Sequence, residues 1–376
     1  MMSYVDVLPA PDSLFLADLL PGIAARLGVP EFHPTAFPLP EAARYVVVLV
    51  DGLGWDITLR ACSAAPYIAG VIGDSAKAEV RVPTTTAASL MSLWTGLAPG
   101  LHGVVGFSFE MAAAEAVYAR GFPRITTPLF IDRPIASPQS VLDRLVEAGV
   151  AVTAVLPEEH VRSGFTAMAT RQAALSGVSA APGRDPVTLA AAASRRGERS
   201  VVYVYESRLD HAGHDAGVAS RQWSQALAEV DAMLERLREE LDDDVCLVVT
   251  GDHGMLDLDP GGRVVIDQAP VLRRDVRLIG GEARCRHLYT AAPRAVQARW
   301  QEAQGDAAWV ATREEVVDSG LLGEVDPAYA SRIGDVVVVA TGDRAYLTPA
   351  FRKEYSLVGV HGGATSAERF VPVLID

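Results

Sequence analysis

Four stretches of the chain are short, continuous apolar runs rich in β-branched residues: RYVVVLVDG (44–52), AVTAVLP (151–157), SVVYVYE (200–206) and DVCLVVTGD (244–252). A run of that length without polar alternation marks a strand buried on both faces, as in a parallel sheet. Between the runs, apolar residues recur at helical spacing in ASLMSLWTG (88–96), SPQSVLDRLVEAG (137–149) and ASRQWSQALAEVDAMLERLREEL (219–241). Strand and helix in alternation predict an α/β fold, a three-layer αβα core whose mostly parallel sheet is covered on both faces.

The pattern changes between about residues 257 and 346. There the pieces are shorter and mixed, among them RVVIDQ, DVRLIGGEARCRHLYTA, a helix near 294–304 and DVVVVATGDRAYL. This predicts a small α+β cap subdomain over 257–346, inserted into a core made of 1–256 and 347–376. The last stretch, GVHGGATSAERFVPVLID, ends in an apolar strand expected to return to that core.

At 376 residues the chain is long enough to bury a full core. Its formal net charge is −14, with acids spread along the chain rather than gathered in a tail. A polymeric nucleic acid held by its phosphates is therefore an unexpected partner, and an anionic substrate would need locally supplied positive charge, for which metal ions are one source. Three cysteines, Cys62, Cys246 and Cys285, lie far apart without CxxC spacing, as in a reducing compartment. The N-terminus lacks the basic and apolar regions of a signal peptide, and no segment reaches the ~18 apolar residues of a membrane span. A cytoplasmic protein without a membrane partner is the expectation.

The chemistry gathers where the strands end. Asp51 and Asp252 close two of the apolar runs, and Asp210 follows a third within a few residues. In open parallel sheets the carboxyl ends of the strands are where ligands bind. Of eight histidines, four lie in compact glycine-rich clusters: LDHAGHDAG holds His211 and His214, TGDHGM holds His253, and VGVHGG holds His361. Taken singly, each aspartate reads as a turn or cap residue and each histidine as a satisfied core residue. Jointly, Asp51, Asp210, His214, Asp252, His253 and His361 are six oxygen and nitrogen donors suited to Zn²⁺ and similar ions, enough for two metals. Two such ions clamp the oxygens of an in-line phosphoryl displacement. Thr86, in VPTTTAASLMSLWTG, opens a helical pattern and so stands at a helix N-terminus, where phosphate binds readily.

In order, these motifs are a strand ending in Asp, P-T-x-T leading to a helix that ends T-G, D-x-x-x-H, D-H-G and a late H-G. The chain resembles the alkaline phosphatase superfamily, and within it the type I phosphodiesterase/nucleotide pyrophosphatase branch. The resemblance runs from VVVLVDGLGWD to GVHGG and is weakest in the insertion. It implies one metal on Asp210, His214 and His361 and another on Asp51, Asp252, His253 and Thr86. It also implies that Thr86, second threonine of P-T-x-T, is a nucleophile that becomes a covalent phosphothreonine. Two divalent ions are the expected cofactors, zinc first, with Mn²⁺ or Mg²⁺ as alternatives.

Ser89, three residues past Thr86, is expected to donate to a phosphate oxygen in place of an asparagine. Arg284, Arg286 and His287, in EARCRHLY of the insertion, are expected to reach over the metals and bind a second phosphate or a carboxylate. His211 and Asp215 flank the ligands and would orient them. The resulting expectation is a metal-dependent hydrolase of phosphodiester or phosphoanhydride bonds in a small molecule. The alternatives are a phosphomonoesterase or phosphonate C–P hydrolase of the same superfamily, and a metal-stabilised binding protein without turnover.

Overall fold

All four apolar runs are strands of one sheet, and two of them flank a third at its centre. The computed structural model describes residues 7–111, 125–131, 135 and 137–376. The strands that matter here are β1 (Arg44–Val50), β2 (Ala76–Glu79), β3 (Ala151–Pro157), β4 (Ala174–Val178), β5 (Ser200–Glu206), β6 (Val245–Thr250), β7 (Leu278–Glu282), β8 (Cys285–Tyr289), β9 (Ala308–Thr312), β10 (Val336–Ala340) and β11 (Phe370–Ile375). The main sheet has seven strands in the order β2-β11-β6-β1-β5-β3-β4. From β6 to β4 the strands are parallel, whereas the returning C-terminal strand β11 runs antiparallel to β2 and β6.

Side chains alternate across this sheet and supply two cores. Tyr45, Val47 and Leu49 of β1 face one, Val46, Val48 and Val50 the other. Helices α1 (Leu19–Arg26), α2 (Thr86–Thr95) and α3 (Val141–Glu147) cover the first face. Helices α4 (Pro186–Ser194), α5 (Arg208–Ala216) and α6 (Arg221–Glu240) cover the second. In α6 the buried residues Trp223, Ala226, Leu227, Val230, Leu234 and Leu237 recur every three or four positions, and the Ser220 hydroxyl caps its start by accepting from the Trp223 N–H. Helix α2 is buried along nearly its whole length and stops at Gly96, whose φ of 70° few other residues adopt.

The insertion carries an antiparallel sheet in the order β7-β8-β10-β9, backed by helix α7 (Pro293–Gln304). Leu288, Val336 and Val338 pack against Val296 and Trp300 of α7. Cys285, Val337 and Val339, on the opposite face, join the main core. One face of the inserted sheet is thus fused to the body. Among the described residues, no helix is long and apolar enough to cross a membrane.

Register decides where the chemistry lands. β1 pairs Arg44 with Ser200 and Val50 with Glu206, and on its other side pairs Leu49 with Thr250. The three strands therefore end along one edge, and Asp51, Asp252 and the start of α5 emerge beside one another.

Candidate active site

Asp51 follows β1 directly, and the next residue, Gly52, turns with φ of 78°; a Cβ there would stand 3.2 Å from the Asp210 Cα. Glycine lets this turn press onto α5. Asp210 and His214 lie one helical turn apart on α5, with His214 Nε2 3.4 Å from Asp210 Oδ1. Asp252 and His253 follow β6, and Asp252 Oδ1 accepts from the N–H groups of Gly52 and His253, both at 3.1 Å.

Each of the three imidazoles turns Nδ1 to a main-chain carbonyl: His253 to Gly254 at 3.1 Å, His214 to Gly359 at 2.9 Å and His361 to Thr84 at 2.9 Å. A carbonyl only accepts, so Nδ1 carries the proton and Nε2 presents a lone pair to the cluster, the arrangement seen in metal-ligating histidines. His253 Nε2 lies 3.4 Å from Asp51 Oδ1 and 3.6 Å from Asp252 Oδ2, and His361 Nε2 lies 3.9 Å from Asp210 Oδ1. The His253 and His361 rings stack with centroids 3.6 Å apart.

The donor set fits divalent cations. Ligand atoms of Asp210, His214 and His361 lie within 4.8 Å of one another, as do those of Asp51, Asp210 and His253. Asp252 stands outside both trios, yet its Oδ2, like Asp51 Oδ1 and Asp210 Oδ1, is buried without a hydrogen-bond partner. Burial, then the neighbouring carboxylates, pushes Asp51 well above the usual carboxyl range, and burial lifts Asp252 to about 7. Burial also lowers His253 to about 4 and His361 well below its ordinary value. Crowded, partnerless carboxylates beside neutral imidazoles are costly alone and favourable around a cation.

Thr86 is the first residue of α2, and its Oγ1 lies 3.2 Å from His253 Nε2. Thr85, at the N-cap, makes no side-chain cap, so the first N–H groups of the helix meet no side-chain acceptor and can receive an anion. Thr84 instead holds the His361 turn: its Oγ1 donates to the Gly363 carbonyl and accepts from the Gly362 N–H, each at 3.0 Å.

Thr86, Asp51, Asp210, His214 and His361 open on a cavity of about 600 Å³. Two aromatic clusters line it. In one, Trp94 packs against Phe165 at 5.1 Å and Tyr203 at 5.9 Å; in the other, Phe107 meets Phe351 edge-on at 6.3 Å. The exposed Arg352 and Lys353 also line it. So does Tyr205, whose hydroxyl donates to Asp51 Oδ2. Sequence reasoning missed these residues. Trp94 was within reach, since it lies two turns after Thr86 on the face that also carries Leu90.

The structure places the four expected substrate contacts away from the large cavity. Ser89 faces a separate cavity of about 170 Å³ with Ser92 and Gly96: at about 100° per residue these three fall on one flank of Thr86, while Leu90 and Trp94, which line the large cavity, fall on the other. Arg284 is fully buried in a two-point ion pair with Glu368. Arg286 is fully buried against Glu354 and the Tyr346 carbonyl. His287 is wedged between the Val105 carbonyl at 3.1 Å and the Gly334 N–H at 2.9 Å. Arg284 lies in the turn between β7 and β8, Arg286 and His287 lie on β8 between β7 and β10, and none of the three lines the large cavity. Of the flanking pair, His211 lines the cavity and Asp215 is exposed.

Comparison with known proteins gives a family and a shared fold. The family model described as type I phosphodiesterase / nucleotide pyrophosphatase matches residues 45–364. GPI ethanolamine phosphate transferase 2 of Kluyveromyces lactis is 38% identical over 58 residues, 15% of this chain and only 7% of that protein's length. Murine ectonucleotide pyrophosphatase/phosphodiesterase 5 superposes with a TM-score of 0.68 at 17% identity, over 88% of this chain and 87% of that one. An inactive threonine-to-alanine form of the same murine protein, in complex with AMP, superposes with a TM-score of 0.67. Phosphonoacetate hydrolase of Sinorhizobium meliloti, in complex with phosphonoformate, gives 0.65 at 16% identity, over 90% of this chain and 91% of that one. At these identities the solved structures establish the shared fold.

Proposed function

This chain belongs to the type I phosphodiesterase/nucleotide pyrophosphatase family of the alkaline phosphatase superfamily, and from that premise we propose that it hydrolyses a phosphodiester or phosphoanhydride bond of a small molecule, with Thr86 as nucleophile. The observation that carries the proposal is the convergence of three partnerless carboxylate oxygens and three inward Nε2 atoms beside the Thr86 hydroxyl. Asp210, His214 and His361 would hold one divalent cation, and Asp51, Asp252, His253 and Thr86 a second, zinc being the best match to the donors. When bound, the cations supply the positive charge that makes a threonine alkoxide accessible and offsets the charge of the phosphoryl group.

The chain's own groups account for the rest. The uncapped N–H groups of α2 face the phosphoryl oxygens, and the Nδ1 hydrogen bonds of the histidines keep their rings aimed at the centre. Thr86 Oγ1 forms its bond to phosphorus as the bond to the leaving oxygen breaks. Water then cleaves the phosphothreonine and restores the hydroxyl. The murine relative's inactive form, with threonine replaced by alanine and AMP bound, supports this role for a threonine.

The two aromatic clusters give room for an organic group on either side of the phosphorus, which favours a diester over a monoester. The likeness to phosphonoacetate hydrolase supports a phosphonate C–P hydrolase as the second reading. A panel of monoester, diester, pyrophosphate and phosphonate substrates, each with Zn²⁺, Mn²⁺ and Mg²⁺, separates the two. Fastest turnover is expected on a diester or anhydride; fastest turnover on the phosphonate selects the second reading, and two bound ions without turnover on any substrate would indicate a binding protein. Three free cysteines support a cytoplasmic location, and recovery of the protein in membrane or extracellular fractions would overturn it.

A further inference from the structure

Resting on the metal-site reading above, we propose that Glu368, gripped by Arg284 of the β7–β8 turn, is the positioning residue of the His361 ligand. On this view the insertion sets the affinity of one metal through a buried ion pair, without touching substrate.

Both side chains are 0% exposed. Arg284 Nε and Nη2 donate to Glu368 Oε1 and Oε2 at 2.6 and 2.7 Å, a two-point pairing that fixes the plane of the carboxylate. The remaining acceptor capacity of that carboxylate is turned on the ligand loop. Oε1 accepts from the Gly363 N–H at 2.7 Å, and Oε2 from the Thr365 N–H and hydroxyl at 3.2 and 2.6 Å. The main-chain carbonyl of Glu368 accepts from the Gly254 N–H at 2.9 Å, immediately after His253.

The His361–Gly363 turn is therefore clamped between two side chains, Thr84 before the nucleophile and Glu368 behind. There is little slack: a Cβ on Gly363 would stand 2.8 Å from the Ala340 carbonyl and 2.9 Å from Arg284 Nη2. A pair serving stability alone needs no contact with ligand-bearing loops, and the molecule contains such a control. Arg369 pairs with Glu79, also buried, and ties the start of β11 to β2. Beyond each other, Arg369 donates to the Leu8 carbonyl and Glu79 accepts from the Ser13 hydroxyl.

The test compares the full-length protein, stripped of metal, with its Glu368→Gln, Arg284→Met/Glu368→Met, Glu79→Gln and His361→Ala variants. Zn²⁺ affinities are read by competition with a chelating dye, and amide hydrogen exchange at Gly362 and Gly363 is followed without metal. Glu368→Gln and the double variant are expected to weaken one of two Zn²⁺ sites by about 10–100-fold, the scale of outer partners of metal ligands, and to speed exchange at both amides. The double variant guards against misfolding, because replacing both members of a buried pair with apolar residues leaves no stranded charge. Glu79→Gln should lower Tm and leave both affinities unchanged. If the Glu368 variants behave like Glu79→Gln, with lower Tm but unaltered affinity and exchange, while His361→Ala does lose an ion, the inference falls and the metal site stands. If His361→Ala keeps both ions, His361 is no ligand and the site reading falls as well.

Discussion

The carboxylate and imidazole group at the edge of the large sheet and the arginine strand of the inserted sheet are both charged and both buried, yet they are built on opposite terms. In the first, Asp51, Asp210 and Asp252 each keep a buried oxygen without a partner, and three Nε2 lone pairs point at them. In the second, Arg284 and Arg286 each find a carboxylate and a main-chain carbonyl, and although Arg286 Nη1 has no hydrogen-bond partner, each charge is balanced by an opposite one. Burying an unpaired charge costs several kcal/mol, so a fold keeps such a group only where something else will meet it. Three carboxylates with no balancing positive charge, converging on three lone pairs, mark the place that awaits a cation, and charge-balanced pairs mark scaffold. The sign of a residue's charge distinguishes neither case.

The largest effect expected from this contrast is at Thr86. Thr86→Ala should lower turnover on a phosphodiester by on the order of 10⁴-fold or more, with the fold and most of the metal kept; near-normal turnover would sink the covalent reading. Next come opposite stability effects on metal-free protein. Arg286→Met leaves Glu354 charged in the interior and should cost about 3–5 kcal/mol, whereas Asp252→Asn removes a crowded, desolvated charge and should raise Tm by about 2–4 °C. Thermal melts in a chelator decide this, and a loss of stability in both variants would erase the distinction between the two regions.

A smaller effect concerns pH. Burial holds His287 neutral in the folded protein by lowering its pKa to about 4 from 6.5. As pH falls the unfolded chain takes up this proton first, so the stability that neutral His287 contributes is full above 6.5 and is lost between 6.5 and 4. Denaturant titrations across that window should show a shallower decline for His287→Gln than for the wild type, and identical slopes would remove His287 as the source. The smallest effect is at Ser89. Its hydroxyl is buried, partnerless and turned from the large cavity, so Ser89→Ala should leave kcat/KM near wild type and stability unchanged or slightly higher; a large loss of kcat/KM would return it to the phosphate site.

How much was legible follows from the range of the interactions involved. The parallel strands, the helix that opens at Thr86 and the aspartates at strand ends depend on local periodicity and on one general rule, that parallel strands deliver their carboxyl ends to a common edge. Those features, with the three clusters that hold four histidines, could be read along the chain. The capping box of Thr365 and Glu368 was seen only in the structure. So were the destinations of Arg284, Arg286 and Ser89. Arg284 meets Glu368 across 84 residues and Arg286 meets Glu354 across 68, and an arginine bound for solvent has the same spelling as one bound for a buried carboxylate. The cavity walls likewise come from Trp94, Phe107, Phe165, Tyr203 and Phe351, which no single window contains. The sequence by itself determined five of the sheet's seven strands and their chemical edge, because those follow from local order, and the family spacing picked out the threonine set against that edge. Only the tertiary structure decided which buried charges were paired and which were left open, because pairing is a property of distant segments brought together.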